Sequence, residues 1–78
     1  MALVMKHGMS NNNIKKTLQL SRDMIILGDQ GLASAQDDGC RLLYGVVQDC
    51  AYKIRMEAER ERARHQFAGI WKTEDKKL

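Results

Sequence analysis

The sequence predicts an all-α fold: an antiparallel helical hairpin that dimerises into a four-helix bundle. Three observations carry this. The 78 residues contain no proline, and the only aromatic residues are Tyr44, Tyr52, Phe67 and Trp71, a composition that favours long helices over strands and turns. Apolar residues recur at helical spacing through two long segments separated by a polar break. On each segment the apolar arc is wider than a single neighbouring helix covers. A hairpin of this sequence therefore holds about half a core, and a second copy related by a two-fold axis completes it. The length agrees, because so small a domain usually needs a partner or a staple.

The elements follow in order. Met1, Met5 and Met9 show no periodicity, and residues 1–10 are expected to be a flexible leader. Ser10 and the run Asn11, Asn12, Asn13 offer side-chain oxygens for the free amides of a first helical turn, so the first helix is expected to begin near residue 11. From Ile14 at about 100° per residue, Leu18, Ile25 and Leu32 form one stripe, and Leu20, Met24 and Leu27 a second. Thr17, Ser21, Gly28 and Ala35 lie between the stripes and would allow close helix approach. Lys15, Lys16, Gln19, Arg22, Asp23 and Gln30 take the opposite face. Gly28 and Gly31 each cost roughly 1 kcal/mol against alanine inside a helix, so a turn at 28–31 competes with one at 36–39. The second position is favoured, because Asp37, Asp38 and Gly39 provide both a loop and acidic caps for the next helix.

The second helix is expected over about 39–66. Leu42, Leu43, Val46, Val47, Cys50 and Ile54 cover an arc of roughly 140°. Beyond Ala58 charge replaces apolar periodicity, so that end is expected to project past the core or to be solvated on most sides. Gly69 ends the helix, and residues 69–78 read as a polar tail carrying Trp71. The hairpin domain is thus residues 11–68.

The net charge of +3 is weak evidence for a polyanionic partner. Basic and acidic residues interleave from Arg55 to Arg62, the pattern of a solvated helix face. The N-terminal apolar run is too short for a secretory signal, and none of the apolar runs reaches the roughly 18–20 residues that cross a bilayer. A cytoplasmic protein with reduced thiols, and no membrane partner, is the expectation.

Sets of residues that could carry chemistry are poorly spaced. Cys40 and Cys50 stand ten positions apart, about 15 Å along a helix, and neither they nor His7 and His65 have the short spacing of zinc ligands. Cys50 reads as a small buried hydrophobe. Asp38 and Asp49 are roughly 16 Å apart, too far for an acid/base pair. They are better explained by local roles, with Asp37 and Asp38 capping the helix, Asp37 reaching Arg41 and Asp49 reaching Lys53. His65, four residues after Glu61, reads as a cation at a helix C-terminus. Gly28-Asp29-Gln30-Gly31 lacks the lysine and hydroxyl of a phosphate-binding loop. No cofactor, metal site or catalytic residue is expected.

Arg41, Tyr44, Gln48, Tyr52 and Arg55 gather within roughly 80° on one flank of the second helix. Tyrosine and arginine are the residue types that anchor interfaces, and they also stack on bases. Trp71 is expected either to fold back on the bundle or to serve as a contact motif, and burying its ring would contribute roughly 1.5–3 kcal/mol. The sequence thus supports a non-enzymatic, homodimeric interaction module that meets a protein partner through Arg41, Tyr44, Gln48, Tyr52, Arg55 and Trp71. A nucleic-acid regulator with a doubled basic surface and an enzyme whose site forms across the dimer are the alternatives.

Overall fold

A computed structural model describes residues 3–71, with side chains from residue 8 onward. It is a hairpin of two helices, α1 over Leu3–Ser34 and α2 over Asp38–Phe67, packed antiparallel. No strand occurs among the described residues. Residues 1, 2 and 72–78, which belong to the expected leader and tail, lie outside them.

The break between the helices falls at residues 35–37, next to the favoured turn position and away from Gly28 and Gly31. Asp37 is the reason. Its extended backbone (φ −143°, ψ 168°) ends the loop, and its Oδ1 accepts from the Cys40 N–H at 2.7 Å, satisfying an amide that the first turn of α2 leaves without an intrahelical partner. At the other end Gly69 takes φ 77°. Its N–H donates to Gln66 O at 3.1 Å and that of Ile70 to His65 O at 2.9 Å. This pair of bonds closes a helix through a left-handed residue, a position glycine fills without steric cost.

Helix α1 begins at Leu3 rather than near residue 11, so residues 3–10 are helical where a separate leader was expected. Gly8 is the only poor helix former there, and one glycine does not stop a helix that continues for many turns. Asn11 is therefore not a cap. It is fully buried, and its side chain reaches across the hairpin. The end of α2 does not project past α1, since Glu61 lies beside Ile14 and Thr17 and His65 is bonded to Asn11, but none of its residues after Ala58 is buried.

The seam between the helices includes Ser21, Gly28 and Ala35, three of the four small residues expected to allow close approach. On α1 the inward positions 11, 14, 18, 21, 25, 28 and 31, with Ala35 just past the helix end, are spaced by steps of three or four. On α2 positions 40, 44, 47, 51, 54, 58, 61 and 65 do the same, and all sixteen are buried or half-buried. The fully enclosed members are small or polar: Asn11 and Ser21 on α1, Ala51 on α2. Ser21 is satisfied within its own helix, donating to Leu18 O at 2.8 Å. Gly28 lies against the Gln48 side chain and Gly31 against the Tyr44 ring, each so close that a β-carbon on the glycine would overlap its neighbour. The two glycines that compete for a turn in the sequence are instead the points where α2 approaches α1 most closely.

Candidate functional site

Ile14, Leu18, Ile25, Val47 and Ile54 are half-buried along the seam, but other large apolar side chains remain outside it. Leu20 is 55% exposed, Leu43 53% and Val46 49%. Leu27 and Leu42 are also exposed, and so is Cys50, which corrects the expectation of a buried thiol. Within the hairpin only part of the apolar arc of α2 is covered: Val47 and Ile54 are half-buried, whereas Leu42, Leu43, Val46 and Cys50 are open.

A shallow groove of about 440 Å³ shows which flanks of the two helices adjoin. Ile14 and Thr17 of α1 line it together with Ile54, Glu57 and Ala58 of α2. At about 100° per residue Leu20, Met24 and Leu27 lie on the Thr17 flank of α1, and Leu43, Val46 and Cys50 on the Ile54–Glu57 flank of α2. The two rows run side by side in antiparallel register and make one broad apolar face along the hairpin. The opposite side carries Arg22, Arg55, Glu59 and Arg62 around Leu18.

The six residues expected to meet a partner are dispersed. Tyr44 and Gln48 turn inward onto Gly31 and Gly28, and Gln48 Nε2 also donates to Asp29 Oδ1. Arg41 pairs with Asp38 at 2.9 Å, and Arg55 with Glu59 at 3.2 Å. The Arg41 partner was expected to be Asp37, but that carboxylate is held by the Cys40 N–H. Tyr52 remains half exposed on the outer side of α2. Trp71 folds back, its ring edge-on to His65 with centroids 6.4 Å apart.

His65 belongs to a clasp that spacing alone does not reveal. Its Nδ1–H donates to Asn11 Oδ1 at 2.5 Å, while Asn11 Nδ2 donates to Ile70 O at 2.6 Å. His65 Nε2 lies 3.7 Å from Glu61 Oε1. One asparagine thus ties α1 to the last turn of α2 and to the chain that follows it. The available signal was the seven-residue interval shared by Tyr44, Ala51, Ala58 and His65, which puts all four on the seam side of α2.

Among the described residues no three His, Cys, Asp or Glu side chains are grouped as metal ligands, and no helix is long and apolar enough to cross a membrane. Among the described residues Asp37 is the one group whose titration is clearly displaced. The Cys40 backbone N–H, and after it the Cys40 thiol, hold its carboxyl below the ordinary aspartate value. The chain matches no known family model, no curated protein and no solved structure.

Proposed function

We propose that this chain is a homodimeric interaction module in which two hairpins pack their apolar faces together as a four-helix bundle. The observation that carries the reading is the contrast between the two sides of each helix. The buried positions of the seam are Asn11, Ser21, Gly28, Gly31, Ala51 and Ala58, while leucine, methionine and valine side chains form a face outside it. An apolar face of that length marks an interaction site.

The hairpin is the folded unit, and the second copy covers Leu20, Met24 and Leu27 with Leu43, Val46 and Cys50. Sedimentation equilibrium at micromolar concentration tests this. The expected result is a dimer for the wild type and a monomer of unchanged helicity for Leu27→Glu and Val46→Glu. A wild type that sediments as a folded monomer overturns the reading.

A further inference from the structure

The side of the hairpin opposite the apolar face carries a groove of about 370 Å³ floored by Leu18 and lined by Arg22, Arg55, Glu59 and Arg62. Among the described residues there are six arginines. Arg41, Arg55, Arg60 and Arg64 each pair with a carboxylate three or four positions away on α2. The other two, Arg22 and Arg62, make no ion pair or hydrogen bond with any described residue. Both line this one groove, one from each helix. Arg55 completes the set, because Glu59 engages it through Nε.

Three arginines and one carboxylate therefore border one groove, and the two arginines that make no ion pair come from different helices. We infer that this groove binds a small phosphate-bearing anion, clamped by Arg22 and Arg62 with Arg55 as a third donor. The guanidinium fork matches oxyanions through paired N–H donors. Three forks supply more donors than the two oxygens of a carboxylate accept, whereas a phosphoryl group offers three oxygens and close to two negative charges. Towards the loop the positive patch ends at Asp29, bonded to Gln48, and the groove itself has the size of a phosphate or diphosphate site rather than of a polynucleotide track. The groove stays open when the opposite face is covered.

Titration of the full-length ¹⁵N-labelled chain with pyrophosphate at constant ionic strength, with chloride as the control anion, tests this. The expected result is saturable shifts centred on Leu18, Arg22 and Arg62, weakened roughly tenfold or more in Arg22→Gln and Arg62→Gln and unchanged in Arg60→Gln. Arg22→Lys keeps the charge but loses the fork, and it should also bind more weakly, with helicity checked by circular dichroism. Shifts that fail to saturate overturn the proposal, as do shifts that persist unchanged in Arg22→Gln and Arg62→Gln. Displacement of pyrophosphate by a short single-stranded oligonucleotide at lower phosphate concentration overturns it in favour of nucleic acid.

Discussion

The ring of Tyr44 occupies the space that a β-carbon on Gly31 would need. Helix propensity and tertiary packing therefore oppose one another at this position. Gly31→Ala gains about 1 kcal/mol of propensity, but the overlap with a seated aromatic ring costs typically 1–3 kcal/mol. The expected outcome is a net loss of order 1 kcal/mol in urea unfolding. With Tyr44 shortened to alanine the obstacle is gone, and Gly31→Ala should then be neutral or stabilising. Gly28→Ala should cost less than Gly31→Ala, because the Gln48 side chain that it meets can rotate away. Equal losses at the two glycines in the Tyr44 background would contradict this account of the seam.

Removing the Asn11 side chain leaves the His65 Nδ1–H and the Ile70 carbonyl without their partner. Buried groups left in this state cost about 1–3 kcal/mol, and Asn11→Ala is expected to destabilise the hairpin by that amount. The loss should be local as well as global. Trp71 is the single tryptophan, so its emission reports the clasp directly. A red shift in Asn11→Ala at temperatures where helicity is intact is the expected signature, and His65→Ala should reproduce it.

The cap at Asp37 carries a pH dependence of known sign. Its carboxyl titrates below the ordinary aspartate value of about 3.9 because the Cys40 N–H stabilises the ionised form. The stabilisation is complete above that ordinary value and disappears as the pH falls through the lower folded-state value. Thermal unfolding between pH 5 and pH 2 (about the range where carboxylates protonate) should therefore show a falling midpoint that is shallower in Asp37→Asn. The asparagine amide oxygen still caps the helix but does not titrate.

Cys50 lies on the exposed apolar face and Cys40 in the first turn of α2. If two hairpins meet through that face, Cys50 becomes shielded while Cys40 does not. In a Cys40→Ser background the rate of thiol labelling at Cys50 should fall as protein concentration rises through the dimerisation range. In the Leu27→Glu variant it should be independent of concentration. A Cys50 rate that never changes with concentration would place the contact elsewhere.

Much of the hairpin was legible from residue order. The absence of proline, the periodic apolar positions and the two terminators, Asp37 and Gly69, locate α2 within a residue of its observed ends. Each of these rests on local chemistry: a carboxylate facing free amides, a glycine able to take positive φ. The start of α1 was not legible, because Asn11 has the chemistry of a cap and also that of a buried cross-link, and only the position of His65 on the other helix distinguishes them. The surroundings of the expected site residues were not legible for a similar reason. Tyr44 and Gln48 look like surface anchors until glycines appear opposite them, and Arg22 and Arg62 stand forty positions apart until the antiparallel register brings them to one groove.

Sequence alone therefore determined that the chain is helical, where it turns and where its second helix stops, since those choices are made within a few residues by propensity and capping. Tertiary structure decided which side of each helix turns inward. Two apolar stripes compete on α1, with a row of small residues between them, and hydrophobicity by itself favours neither stripe. Close approach does decide it: Gly28 and Gly31 admit Gln48 and Tyr44 at a separation that leucine would forbid, and Leu20, Leu27 and Val46 are left facing outward.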